Sequence, residues 1–399
     1  MTSFSHTADC LIIGGGVVGL SLAFELAGRG ASVQLLDQAS LGRAASWAGA
    51  GILPPSPTCG AIDPLDQLRG MSHRLHAQWA EQLQTLTGID TGYARCGGLY
   101  LARSAAEAAT LTAQQALWAE HGIEAERWSV EETIAREPNL TELLNPSSSV
   151  SANSDSYDST SNLANANAQP SVKAIWYMPD ECQLRNPRHL KALVAACKLR
   201  GVQFFEHAHV EQLQCADGAI RLTAGEQKFT AKQACICSGA WTRLLMDELQ
   251  VPTGILPIRG QMLLYRAEKP LLQRVVNEGH RYLVSRNDGR LLAGSCEEEV
   301  GFDATTTEPM LQQLRAWAEA ILPQLKSTPL ENSWAGLRPG SFDGMPYIGA
   351  VPGRSQLFVA SGHYRAGLHL SCATAFVVAD LMQGIPPAID LTPFRLSRG

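Results

Sequence analysis

The sequence predicts an α/β (α+β) chain in which a Rossmann-like nucleotide-binding domain is interleaved with an antiparallel-sheet domain. Three observations predict it. A short apolar run at 10–13 breaks at Gly14 and leads into helical apolar spacing over 17–27. Strand-like alternation dominates the middle of the chain, and a glycine-bearing turn between a strand and a helix occurs near each end.

Each element has its own signal. The helical stretch 17–27 closes at Gly28 and Gly30, and the apolar run 32–36 completes a βαβ unit within the first 40 residues. Helical spacing recurs at 65–86, 105–120, 188–200, 309–322 and 373–382. Alternation marks strands at 98–102, 202–205, 219–222, 261–265, 281–284, 291–293 and 357–360, and an apolar stretch ending near Cys237 reads as another. Nucleotide motifs at both ends predict a discontinuous nucleotide domain over 1–90, 185–250 and 335–399, with 91–184 and 251–334 forming a substrate domain. The serine-, asparagine- and alanine-rich stretch 145–171 holds almost nothing that could be buried, so it is expected to be a flexible surface insertion with no role of its own.

Composition narrows the function. With 45% apolar and 18% charged residues, the 399-residue chain is neither disordered nor fibrous. Its formal net charge of −6, with no lysine- or arginine-rich run, leaves a nucleic-acid partner without an electrostatic footprint. Ten scattered cysteines fall below the density of a disulfide scaffold and predict reduced thiols and a cytoplasmic location. The N-terminus lacks the basic-then-apolar pattern of a signal peptide. The apolar stretch 11–26 is cut by four glycines and reads as strand, turn and helix, so no transmembrane segment is expected.

Gly14-Gly15-Gly16-Val17-Val18-Gly19 fits the dinucleotide fingerprint: Gly14 for the turn, Gly16 for close approach of backbone to a pyrophosphate, Gly19 for packing helix on strand. The helix that starts there offers free N–H groups and a positive dipole end to phosphates. Asp37, closing the next strand, can accept hydrogen bonds from a ribose. The run Ala44-Ala45-Ser46-Trp47-Ala48-Gly49-Ala50-Gly51 would let backbone approach a second large ring system, or would simply pack closely.

Arg338 stands alone in the small, apolar stretch 334–340, where its planar fork suits either a substrate carboxylate or a structural one such as Asp343. The glycines of 361–367 and the helix after them could face an electron-rich ring and stabilise developing negative charge, or could form a plain loop. Cys235 and Cys237 read as core thiols, because no second Cys or His pair has ligand spacing. His207 and His209, alternating on one strand, read as a polar strand face, so no metal is expected. There is no Walker loop, His-Glu-x-x-His or Gly-x-Ser-x-Gly, and phosphoryl transfer, zinc hydrolysis and serine hydrolysis lack support.

On these motifs the chain resembles the flavin-dependent amine oxidases of the D-amino-acid oxidase superfamily of FAD-dependent oxidoreductases, most closely the bacterial glycine oxidases of thiamine (thiazole) biosynthesis. The likeness runs nearly end to end. Its most specific pieces are Trp334-Ala335-Gly336-Leu337-Arg338-Pro339, Gly362-His363-Tyr364-Arg365-Ala366-Gly367 and Pro257-Ile258-Arg259-Gly260-Gln261. The resemblance implies non-covalent FAD held by Val17, Val18, Asp37, Gln38, Ala45, Ser46, Ala50, Gly51, Ile52 and Val210, with Gly362 through Leu368 and His369 along the isoalloxazine. It implies that Arg338 grips the substrate carboxylate with Tyr282 as partner, and that His280 and Arg365 occupy further active-site positions.

The implied reaction moves a hydride from the α-carbon of glycine, or of another small amine or D-amino acid, to flavin N5. An imine forms and O2 is reduced to hydrogen peroxide. Thiazole synthase is the implied acceptor of the imine, and a homo-oligomer the implied assembly. Two other readings use the same motifs: a D-amino-acid dehydrogenase passing electrons to quinone, and a non-catalytic FAD-binding subunit. The chain departs from its relatives at Asp37, where they carry Glu, and at Ile52 and Glu297, where a relative carries Met. The cysteine that attaches flavin covalently in sarcosine oxidases is missing near Trp334.

Overall fold

The computed structural model describes residues 5–145, 171–216 and 218–398; the expected insertion 145–171 lies outside the described residues except for Asn145 and Ser171. A mainly parallel sheet is ordered Gln212–Ala216, Ala219–Ala224, Gln227–Ile236, Ser5–Ile13, Val33–Leu36, Gln203–Phe205. Arg354–Ser361 joins it parallel to Gln227–Ile236 and carries Tyr347–Val351 antiparallel at its side. The C-terminal ends of the central strands, 10–13 and 234–236, and the middle of Arg354–Ser361 at 357–360 read as apolar runs because both faces are covered there. Ile12, Leu35, Cys235 and Phe358 enter one core, while their neighbours Leu11, Leu36, Ile236 and Val359 enter another.

The first core lies under helices. Val17–Gly28 packs against Gly367–Met382 and Asn186–Leu199, and Pro64–Thr87 packs against Gly367–Met382. The helix Gly367–Met382 starts six residues before the apolar spacing predicts. Its first turns carry polar residues that interrupt the pattern yet are buried and bonded: Ser72 Oγ donates to the His369 carbonyl at 2.6 Å and Ser371 Oγ to the Leu368 carbonyl at 2.8 Å.

A second sheet is ordered Leu330–Gly340, Leu256–Arg266, Arg290–Gly294, Arg281–Ser285, Val275–Glu278, Gly98–Ala102, Ala174–Met178, Glu126–Trp128. Every pairing is antiparallel except that of Val275–Glu278 with Gly98–Ala102. One face buries Leu263, Leu283 and Ala293 against Leu314, Trp317 and Ile321 of the amphipathic helix Glu308–Ile321. The other face turns Met262, Val284 and Leu292 toward Ala50 and Ile52 of the first unit. The strand Leu330–Gly340 pairs along its length with Leu256–Arg266 and crosses the expected boundary at 335. Its glycines mask it in the sequence, since Gly336 and Gly340 lower strand propensity without breaking the ladder.

The helical layer holds buried histidines. Burial pushes His76 down to about 4 and His189 down to about 3, and the two rings lie 6.0 Å apart. Both therefore stay neutral in the fold at pH values where the unfolded chain takes up protons. Stability is full above about pH 6.5 and falls as pH drops toward the folded values, at roughly 1.4 kcal/mol per ring per pH unit. Thermal unfolding should show a Tm that declines steadily between pH 7 and pH 5 in His76- and His189-containing protein, and less steeply in His189→Gln. A flat profile would mean the rings protonate in place.

Candidate active site

The cradle at the end of Ser5–Ile13 is built by backbone. Gly14 has φ 111°, and a Cβ there would run into the Cys237 carbonyl; its N–H donates to the Leu36 carbonyl at 2.8 Å. Gly15 N–H donates to Asp37 Oδ2 at 2.6 Å and Ala39 N–H to Oδ1 at 2.8 Å, which fixes Asp37 beneath the loop. Burial pushes the Asp37 carboxyl up, and the two amides oppose that. Gly16 caps the helix Val17–Gly28, and Ser46 Oγ accepts from the Val17 N–H at 2.8 Å. Gly19 backs onto the Gly14 carbonyl, where any Cβ would collide.

The small-residue run is clamped from several sides. Ala45–Ala48 is one short helical turn, Asn186 Nδ2 donates to the Ser46 carbonyl at 2.7 Å, and buried Arg286 donates to the Ala50 carbonyl at 2.5 Å and to Gln183 at 2.6 Å. Gly51, at φ 79°, leaves no room for a Cβ beside the Leu184 carbonyl. The run itself, apart from Trp47, lines one cavity of about 1070 Å³, with Asn186 beside it. Gly14, Gly16, Val17, Val18, Asp37, Gln38, Ala45, Ser46, Ala50, Gly51, Ile52 and Val210 all face it. Such a volume lies at the upper end for small-molecule sites, and the Cβ-free cradle with its open helix terminus fits a flavin dinucleotide.

The antiparallel sheet supplies the opposite wall. Arg338 stands opposite Ile258, and Gly336 opposite Gly260, whose missing side chain is the space the Arg338 guanidinium occupies. Arg338 donates to the Cys296 carbonyl at 3.0 Å and to Ser295 Oγ. Among the described residues it has no carboxylate partner. Asp343, the structural alternative, pairs instead with Arg398 at 2.8 Å.

A row of residues crosses the sheet beside it. Tyr100 stands opposite Asn277, Asn277 opposite Tyr282, Tyr282 opposite Gly294, and Gly294 opposite Met262. Tyr100, Asn277, Tyr282 and Met262 all line the cavity, and the Tyr282 hydroxyl lies 3.5 Å from Met262 Sδ. Behind the row, fully buried Glu181 accepts from Asn277 Nδ2 at 3.0 Å and from the Tyr100 hydroxyl; burial pushes its carboxyl up to about 7. Sequence reasoning missed Tyr100, Asn277, Met262, Glu181, Asn186 and Arg286. Tyr100, Asn277 and Met262 are single residues in strands, Asn186 starts a helix, and Glu181 and Arg286 lie just outside strands, so only the tertiary fold brings them together.

The third wall is the loop after Arg354–Ser361. His363, Tyr364, Arg365, Ala366, Gly367, Leu368 and His369 line the cavity, whereas Gly362, at φ 77°, packs against the Tyr347 ring. Neither Gly362 nor Gly19 forms cavity wall; both serve close packing behind it. His363 is buried against Thr374 Oγ1 at 3.1 Å, and burial pushes its ring down to about 3. Arg365 pairs with Glu297 at 2.5 Å and donates to the His280 carbonyl at 3.0 Å. The His280 side chain is exposed, so backbone and not imidazole meets Arg365.

Two other expectations are placed as well. Cys235 and Cys237 are buried with sulfurs 3.6 Å apart, and no group of three or more His, Cys, Asp or Glu among the described residues could hold a metal. His207 and His209 lie beyond the strand Gln203–Phe205 and not on it, because His207 turns the chain with φ 57°. No helix among the described residues is long and apolar enough to cross a membrane.

Comparison with known proteins agrees with this architecture. The family model DAO, described as FAD dependent oxidoreductase, matches residues 9–381. Glycine oxidase of Pseudomonas putida is 33% identical over 388 residues, covering 96% of this chain and 97% of that protein. The crystal structure of glycine oxidase from Geobacillus kaustophilus superposes with a TM-score of 0.88 at 31% identity, covering 99% of each chain. The bifunctional protein ThiO/ThiG of Synechocystis is 31% identical over 96% of this chain, which spans 53% of that protein. A family match of that extent, on a fold whose glycine cradle and arginine strand face one cavity, makes this chain a member of the DAO family of FAD dependent oxidoreductases.

Proposed function

We propose that the protein oxidises glycine and other small amines or D-amino acids to imines, with non-covalent FAD and with O2 as electron acceptor. The observation that carries this reading is Arg338, an arginine with no carboxylate partner among the described residues, facing the same cavity as the nucleotide cradle. When bound, FAD supplies the acceptor for the substrate hydride and passes the electrons to O2. The residues of the cradle and of the loop 363–369 would hold it.

The chain's own contribution is orientation. Arg338 offers the carboxylate its uncancelled positive charge and its remaining N–H groups, and its tether to Ser295 and Cys296 sets the direction from which the amino acid enters. Tyr282 closes the other side with its hydroxyl. The His363 ring and the start of Gly367–Met382 line the same cavity, and that helix terminus would favour negative charge on a bound flavin ring. The substrate binds as the neutral amine, so no side chain is assigned as general base.

The parallel-sheet unit, drawn from N-terminal, central and C-terminal segments, is proposed as the FAD domain, and the antiparallel-sheet unit as the substrate domain. The similarity to a bifunctional ThiO/ThiG protein supports handing the imine to a second enzyme of thiazole formation, in line with the thiazole synthase expected as acceptor.

The purified chain should be yellow, and acid precipitation should release the flavin into the supernatant; flavin retained in the pellet would contradict non-covalent binding. Under air, glycine, sarcosine or D-alanine should yield hydrogen peroxide in step with substrate loss. Turnover seen only with an added quinone would favour a dehydrogenase, and no turnover at all a binding subunit. Arg338→Ala should lower kcat/KM for amino acids at least about a hundredfold with flavin still bound. Removing one partner of such a pair costs about 3–5 kcal/mol, and roughly 1.4 kcal/mol is tenfold in rate. Amines without a carboxylate should lose little.

A further inference from the structure

The segment after Arg290–Gly294 is stapled residue by residue. Ser295 and Cys296 hold Arg338, Glu297 pairs with Arg365, and Glu298 pairs with Arg259 at 3.1 Å while accepting from Gln261 Nε2 at 2.9 Å. Glu297 is therefore a fixed charge. It does not line the cavity itself, whereas Arg365 and Arg338 both do. Burial alone would push the Glu297 carboxyl up, but hydrogen bonds from Tyr364 and Arg365 and the nearby Arg338 hold it below the usual range, so it is ionised at neutral pH.

The charge balance at this end of the cavity is two arginines against one carboxylate. Arg365 has its fork engaged by Glu297 and by the His280 carbonyl. Arg338 is bonded to neutral acceptors and keeps a full positive charge. One unit of positive charge is left over, which matches one substrate carboxylate.

We propose that Glu297 makes the site selective for monocarboxylates, by engaging Arg365 so that it cannot receive a second carboxylate. Glu297 is a positioning residue that acts through Arg365, and the inference rests on the carboxylate-binding role given to Arg338 above. The two side chains are 37% and 39% exposed, so the pair is partly screened and adds little to folding stability. Its effect is on discrimination, because an arginine already paired with a carboxylate has little net charge left to attract a second one.

The test compares wild type, Glu297→Gln and the double variant Glu297→Gln/Arg365→Gln, each as flavin-loaded protein. Turnover is measured for D-alanine against D-aspartate and for sarcosine against iminodiacetate. Binding is measured for acetate against malonate through perturbation of the flavin absorbance. Glu297→Gln should raise the dicarboxylate-to-monocarboxylate ratio by about tenfold or more in both assays, an effect that weakens as salt is raised. The double variant should lose the gain, because Arg365 is what the second carboxylate reaches. Unchanged ratios in Glu297→Gln, or a gain that persists without Arg365, overturn the proposal, as does failure of both carboxylates to perturb the flavin in every form. A wild type that turns over no amino acid while the malonate-to-acetate ratio still shifts would sink the proposed reaction and leave the charge selection standing.

Discussion

The cavity depends on the segment 44–51, which apart from Trp47, turned away against Trp334, carries only small side chains. The antiparallel-sheet unit leans on it: Gly336 of the arginine strand has Ala48 where its own Cβ would be, Trp334 Nε1 donates to the Ala48 carbonyl at 3.0 Å, and Arg286 reaches the Ala50 carbonyl. On the opposite flank, Gly51 lies against the Leu184 carbonyl and Gly49 against the Asn186 amide. Backbone this close to backbone excludes water, so the carbonyls of the segment have to be bonded by side chains. Asn186, Trp334 and Arg286 do that from three separate elements. The outcome is a closely packed seam that brings the glycine cradle and the antiparallel sheet to one cavity.

The ionisable groups around that cavity are held by neutral partners where a free charge is useful and by opposite charges where it is not. Arg338 is bonded to a carbonyl and a hydroxyl, which orient the guanidinium without cancelling its charge. Arg259, one strand away, is neutralised by Glu298 and Asp303. Glu181 illustrates the opposite limit: a fully buried carboxyl with only a phenol and an amide beside it, whose charged form is disfavoured by burial. In a low-dielectric site a charge keeps its reach only if its partners do not screen it, which is why an arginine bonded to neutral groups can recognise an anion.

Much of the fold is legible in the amino-acid order. The helix Ala105–Glu120 and the strand Gly98–Ala102 coincide with their patterns, because each is bounded by residues that act locally, such as Ser104 with its capping box to Glu107. The helix Gly367–Met382 and the strand Leu330–Gly340 are not read correctly from pattern. In both, the interrupting residues are polar or glycine, and their fitness depends on what lies across the interface. The cradle residues are legible for a similar reason in reverse: the need for glycine at Gly14 and Gly16 is a property of one turn and the helix after it.

What the sequence by itself determined is therefore whatever short range decides: the βαβ unit, the glycine turn between its first strand and helix, the acid at the end of the next strand, and an arginine with no neighbour of its own kind. Which groups meet was decided by tertiary structure. Tyr100, Asn277, Tyr282 and Met262 lie far apart in the chain and become one row through antiparallel and parallel register, where a slip of a single residue would turn each to the other face. The freedom of Arg338, and the engagement of Arg365 by Glu297, likewise depend on side chains from separate strands arriving within hydrogen-bond distance. Propensity and spacing act over a few residues, whereas charge balance in a cavity is set by every chain segment that folds into it.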